Sequence, residues 1–224
     1  MNAGGAAVTA SFVVPAKNES GYLGDALESV RDQDTDREYE LIVVDGGSED
    51  GTPAVAREHD AALVRQESEG RGPGRHEGAL RSEGAWLAFV DADTTVRPDY
   101  LDRMLAFVER EGLAAASSRC RVVGSPRGKP MQAVINRVFP RLDRPILPGF
   151  NCFVDRGAYF AAGGFPGVPN EDTAFSRQLA EEYPVGYCDD VLVETSARRF
   201  VRQGLTGGLA HYLRLDWRRL QADY

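Results

Sequence analysis

Lysine is nearly absent from this 224-residue chain, which holds two, Lys17 and Lys129, against 24 arginines. Histidine and cysteine are scarce too, at three each. The balance is acidic, with 34 carboxylates over 26 cations and a net charge of −8. A general nucleic-acid binder carries a basic excess, so no nucleic-acid partner is expected. Cys120, Cys152 and Cys188 are odd in number and widely spaced. That pattern excludes a zinc cluster and a disulfide framework, and the cysteines read as small buried apolar side chains. No apolar run approaches the roughly 18 residues of a membrane span. Residues 1–10 lack the charged start and apolar stretch of a signal peptide, so a cytoplasmic location is expected.

What is present is an alternation of short apolar runs with helical patterns. Ser11-Phe12-Val13-Val14, Leu41 to Val44, Ala61 to Val64 and Trp86 to Val90 read as strands. Between the first two, Leu23, Ala26, Leu27 and Val30 fall at helical spacing after Ser20, a candidate N-cap. Thr52-Pro53 reads as the N-cap and first residue of a second helix, and residues 73–82 as a third. Strands apolar on both faces and separated by helices imply an α/β fold, a mostly parallel central sheet with helices on both faces. Ligands bind such sheets at the carboxyl ends of the strands. Three strands here end in polar residues, at Lys17-Asn18-Glu19, at Asp45 and at Asp91-Ala92-Asp93. The second half is less regular and richer in glycine and proline. It reads as substrate-binding elaboration of one domain.

Each polar cluster has a chemistry it could serve. Two carboxylates at i and i+2 in extended chain, Asp91 and Asp93, can face one way and hold a hard divalent ion. Asp45, followed by two glycines, could accept a base N–H or a ribose hydroxyl. Ser48 to Thr52 reads as a turn and helix cap. Arg71 and Arg75, entering a helix, could meet phosphate oxygens. Asp172, in a first helical turn, could be a general base or merely favourable to the helix dipole. Arg198-Arg199 could reach a diphosphate or be a solvated pair. His211 could be a metal ligand. The glycine-rich stretch 70–74 is neither GxGxxG nor GxxxxGK, so the dinucleotide-fold and P-loop readings fail.

Four segments in this order, SFVVPAKNES, LIVVDGGSEDGT, GRGPGRHEGALRSEGAWLAFVDADT and AAGGFPGVPNEDTAFSRQL, resemble the family 2 glycosyltransferases of GT-A fold. The resemblance covers residues 11–200. It implies a nucleotide-diphospho-sugar donor, UDP- or GDP-linked, and Mg²⁺ or Mn²⁺ as cofactor. By resemblance Pro15, Ala16 and Glu19 line the nucleotide pocket and Asp45 binds the base. Asp91 and Ala92 lie at the ribose, Asp91 and Asp93 hold the metal, and Arg75 sits near the donor. Asp172 matches the base of inverting members. Two positions depart from the common pattern, Gly46 where many members have Asp and His76 where many have Asn. The processive signature Gln-x-x-Arg-Trp is absent, which favours single addition. The implied organisation is one transferase domain over 1–204, with a donor half at about 10–95 and an acceptor half at about 96–204, and a helical extension at 205–224.

Residues 119–144 carry seven cations against one acid, Asp143. Within them Met131, Val134, Ile135, Val138, Phe139 and Leu142 recur at the spacing of an amphipathic helix. Such an element either packs on the sheet with solvated arginines or meets anionic lipid or a phosphorylated acceptor. A lipid-linked phosphate is the favoured acceptor, with peripheral membrane contact. Leu209, Leu213, Trp217 and Leu220 suggest a C-terminal helix that docks on the domain, a second subunit or a membrane. Two other functions are weighed. Asp91-Ala92-Asp93-Thr94-Thr95 matches the nucleophile loop of haloacid-dehalogenase phosphohydrolases, though that loop ordinarily ends the first strand. A non-catalytic nucleotide-sugar-binding module is the other.

Overall fold

A computed structural model describes residues 7–198. Arg199, His211 and the stripe from Leu209 to Leu220 lie outside the described residues. The chain first lays down β1 (Ala10–Ala16), α1 (Leu23–Arg31), β2 (Tyr39–Asp45), α2 (Thr52–Glu58), β3 (Ala62–Arg65), α3 (Arg71–Arg81) and β4 (Trp86–Val90). It continues with β5 (Thr94–Val96), α4 (Tyr100–Glu111), β6 (Ala115–Val123), α5 (Lys129–Arg137), β7 (Asn151–Asp155), α6 (Arg156–Ala161), α7 (Glu171–Glu182) and β8 (Val185–Ser196). All eight strands join one sheet in the order β3-β2-β1-β4-β7-β6-β8-β5. β1 pairs in parallel with β2 and β4, β2 with β3, and β6 with β8. The pairings β4 with β7, β6 with β7 and β5 with β8 are antiparallel. The α/β class and the helices on both faces agree with the sequence expectation, and the parallel character is concentrated in the first half.

Alternation along the central strands divides two cores. Phe12 and Val14 of β1 face a core with Leu23, Leu27 and Val30 of α1 and with α4, while Val13 faces Ala79 of α3, Tyr159 of α6 and Phe175 of α7. Helix α1 forms because its apolar residues at i, i+3, i+4 and i+7 are all fully buried. Its start differs from expectation. The N-cap is Tyr22, and the Ser20 N–H instead donates to Asp50 Oδ2 at 3.1 Å. Helix α2 is likewise shifted by one, with Gly51 as N-cap and Thr52 and Pro53 as its first two residues. Pro53 still occupies a position where its missing N–H costs nothing.

The expected long amphipathic helix is shorter. Helix α5 ends at Arg137, and Phe139–Arg141 forms a separate 3₁₀ turn. Pro140 explains the break, since it has no N–H to give the Asn136 carbonyl and its ring crowds that carbonyl. Val138 and Leu142 are exposed at 48% and 40%. The helix is held to the sheet by polar contacts as well as by buried Ile135. Beyond Ala116, β7 no longer pairs with β6. There Asn136 exchanges hydrogen bonds with the N–H and C=O of Cys120 at 2.9 and 2.8 Å, and Gln132 accepts the Val122 N–H at 2.9 Å. These side chains satisfy backbone groups that a strand edge leaves open. Cys120, Cys152 and Cys188 are free and buried, as expected.

Candidate active site

The parallel strands bring their carboxyl ends to one edge. Ala16, Asp45 and Arg65 stand side by side in register across β1, β2 and β3. The loops after β1 and β2 are laced together. The Asn18 N–H donates to Ser48 Oγ at 2.9 Å, the Glu19 N–H to Thr52 Oγ1 at 2.8 Å, and the Glu49 N–H to Asn18 Oδ1 at 2.9 Å. Ser48 to Thr52 therefore builds the loop, as the sequence suggested, but by tying it to its neighbour more than by capping α2. Asp50 accepts from the Thr52 hydroxyl and N–H, which hold its carboxyl below the ordinary range. Asp45 is buried and receives the Ser48 N–H at 3.2 Å. Above this edge lies an open cavity of about 560 Å³. Pro15, Ala16 and Glu19 line it together with Lys17, Gly46 and the segment Gln66 to Arg71. That places three of the expected nucleotide-pocket residues in one wall.

Asp91 and Asp93 leave the end of β4 in different directions. The chain turns at once, with the Thr94 N–H on the Asp91 carbonyl at 3.0 Å. The extended geometry that would point both carboxylates one way is therefore not adopted. Asp93 lies under Arg198, whose Nε donates to Asp93 Oδ2 at 2.8 Å and whose terminal nitrogen pairs with Glu19. The guanidinium also stacks 4.3 Å from the Tyr22 ring centroid. Arg198, from the end of β8, thus joins two of the sequence-predicted residues. Asp93 and Glu19 already hold a positive group, and that is the environment a cation needs.

Asp91 belongs to a second cluster centred on Arg75. Five residues into α3, Arg75 is 2% exposed. It donates to Asp91 Oδ1 at 2.7 Å and to Glu171 Oε1 at 2.6 Å, and it lies 5.3 Å from the Phe165 ring centroid. Burial alone would lower the pKa of its guanidinium, but the carboxylates of Asp91, Glu171 and Asp172 outweigh it and keep it charged. Its Nε is buried without a partner. Arg75 therefore ties the end of β4 to the start of α7. Gly149 makes room for it, since a Cβ there would lie 2.6 Å from the guanidinium carbon. Gly149→Ala should cost about 1–3 kcal/mol through this clash, read as a lower urea midpoint; an unchanged midpoint would show that the loop yields freely.

Asp172 follows Glu171 in the first turn of α7. It accepts the Thr173 N–H at 2.8 Å and the Gly149 N–H at 3.4 Å. Burial, and then the charge of Glu171, push its carboxyl above the ordinary value, against the opposing pull of Arg75. A carboxylate so placed holds a proton more tightly than a solvated one, which suits a general base. His76 sits elsewhere, its Nδ1 3.2 Å from the Tyr159 hydroxyl and its ring packed on Tyr159 and Phe160. Glu171, Gly149, Phe165 and Tyr22 were missed as site residues. Glu171 was within reach, because it adjoins Asp172. The others become legible only through long-range packing. Among the described residues no group of three or more His, Cys, Asp or Glu side chains gathers as a metal cluster.

The family model of glycosyl transferase family 2 matches residues 11–165. Glycosyltransferase AglE of Haloferax volcanii is 33% identical over 205 residues, which cover 85% of this chain and 67% of AglE. The chain spans less than half the length of several other curated relatives that it matches. Among solved structures, S. aureus TarS 1–349 in complex with UDP-GlcNAc superposes with a TM-score of 0.69 at 19% identity, over 84% of this chain and 58% of that one. The mannosyltransferase PcManGT from Pyrobaculum calidifontis, in complex with GDP-Man and Mn²⁺, gives 0.66 at 24% identity, over 92% and 64%. These likenesses carry the fold. The phosphohydrolase and the non-catalytic module are set aside by the family match, and by the position of Asp91 after a fourth strand. The chain belongs to glycosyl transferase family 2 and has the GT-A fold.

Proposed function

We propose that this chain is the transferase domain of an inverting enzyme that moves a sugar from a nucleotide diphosphate to an acceptor hydroxyl or phosphate. The observation that carries the proposal is the Arg75 tie, which sets Asp172 of α7 and Asp91 of β4 around one buried guanidinium beside the strand-end cavity. A UDP- or GDP-sugar is the donor class, as in the complexes of TarS and PcManGT. Pro15, Ala16 and Glu19 line the nucleotide's side, and Asp45, at the end of β2, accepts from the base. Asp93 would hold Mg²⁺ or Mn²⁺ together with Glu19, since Asp91 is turned to Arg75. When bound, that ion supplies positive charge for the leaving diphosphate. The Arg198 cation now lying on Asp93 and Glu19 supports the fit of a cation at this donor set. Two carboxylates suffice for an ion that completes its shell with water and phosphate oxygens. Displaced from Asp93 by the ion, Arg198 would be released to meet the diphosphate. Asp172 accepts the proton of the attacking hydroxyl on the face opposite the leaving group, and this inverts the anomeric centre.

Thermal-shift screening of UDP- and GDP-sugars with Mn²⁺, Mg²⁺ or EDTA tests the reading. Stabilisation should require a divalent ion and should vanish in Asp93→Ala. Equal shifts with and without EDTA, or an undiminished shift in the variant, would remove Asp93 from the metal site. No shift with any nucleotide-sugar would overturn the donor assignment.

A further inference from the structure

Several arginines on this carboxylate-rich surface pair with an acid. Arg31 pairs with Asp60, Arg37 with Asp102, Arg121 with Glu194 and Arg144 with Glu181. One groove stands out because it gathers several cations. It encloses about 460 Å³ between β6 and α5, and Arg119, Lys129, Arg137 and Arg141 line it with no carboxylate in its wall. Of the four, Arg119 alone reaches an acid, the Asp189 side chain, which is 87% exposed. Lys129 Nζ donates to the Val122 carbonyl at 3.2 Å and to Gln132 at 3.1 Å, both neutral groups. Among the described residues neither Arg137 nor Arg141 has a carboxylate partner. The groove is fixed in place, because Gln132 and Asn136 in its wall are the side chains that bond the edge of β6. Among the described residues three of these cations lack a carboxylate partner, and held in one groove they repel each other.

We propose that this groove binds a phosphate group, at a site separate from the donor cavity, with which it shares no lining residue. Arginine forks and an ammonium are the side chains that recognise phosphate oxygens. The chain runs from Arg141 to Gly149, which touches both Arg75 and Asp172. Eight residues extend at most about 29 Å, which bounds the distance between the Cα atoms of Arg141 and Gly149. The role of the groove rests on the transferase reading: it anchors the phosphate of the partner that presents the acceptor. The binding itself does not rest on that reading.

The test uses the full chain at about 0.15 M salt, where weak surface attraction is screened. Binding is measured to inorganic phosphate by ³¹P NMR titration and to phosphatidylglycerol-containing vesicles by co-sedimentation, with phosphatidylcholine vesicles as control. Arg137→Gln/Arg141→Gln is compared with wild type. The wild type should bind the soluble anion, the anionic vesicles or both, and the double variant about 30-fold more weakly, as expected for two lost cations. Binding to vesicles alone identifies a lipid phosphate, and binding to free phosphate identifies a soluble partner. Nucleotide-sugar binding with Mn²⁺ should be unchanged in the double variant, whose two side chains are exposed. Wild type that binds neither probe, or a double variant that binds as well as wild type, overturns the groove assignment. Loss of nucleotide-sugar binding in the wild type would overturn the donor reading instead.

Discussion

Asp172→Asn should lower sugar transfer by about 10²–10⁴-fold, the usual contribution of a positioned base, while Mn²⁺-dependent donor binding stays intact. The substitution keeps the shape of the side chain and removes its proton affinity. Stability supplies an independent check. The folded-state pKa of Asp172 lies above its ordinary value, so the folded chain holds this proton more tightly than the unfolded one. The stability this group contributes is full below the ordinary carboxylate pKa and is lost as pH rises through the raised one. Above its raised pKa the wild type carries a desolvated charge that asparagine does not. The variant should therefore melt no lower than wild type at pH 7, and any advantage should fade at acid pH. A large loss of melting temperature together with lost activity would mark Asp172 as structural. Full turnover in the variant would remove it from catalysis.

Arg75→Met should be the most destabilising single change in the site. It leaves Asp91 and Glu171 facing each other without their shared cation, in surroundings where Asp91 is 4% and Glu171 15% exposed. Breaking a buried ion pair by deleting one partner typically costs about 3–5 kcal/mol, which for a domain of this size lowers the melting temperature by roughly 10 °C. Arg75→Lys should recover little, because an ammonium cannot span both carboxylates as a guanidinium fork does. Adding Asp91→Asn to Arg75→Met should return part of the stability and none of the transfer. Additive losses in that pair of substitutions would show that Arg75 acts independently of Asp91.

The first half of the fold was legible because β1, β2 and β4 are buried on both faces and α1 carries a single apolar stripe. Leu41 to Val44 and Trp86 to Val90 need no partner to be recognised. The second half was not. Strand β6 mixes Ser117, Ser118, Arg119 and Arg121 with buried Cys120 and Val122, and β8 runs through Asp189 and Asp190 with a shifted register against β6. Such strands are specified by their neighbours more than by their own pattern. The site divides the same way. Asp45, Asp91, Asp93, Asp172 and Arg198 could be named from local sequence and from family resemblance. Their grouping could not, because Arg75 meets Glu171 across 96 residues and Arg198 meets Glu19 across 179. The reading of Asp91 and Asp93 as facing one way failed on a single turn at Ala92, which gives one carboxylate to Arg75 and the other to Arg198.

The stereochemistry of the product tests the central claim most directly. With the nucleotide-sugar selected by thermal shift, water can replace the acceptor, and proton NMR in the first minutes reads the anomer released before mutarotation. Attack assisted by Asp172 from the face opposite the diphosphate predicts the inverted anomer from wild type and no release above background from Asp172→Asn. A first-formed sugar of retained configuration would contradict the account.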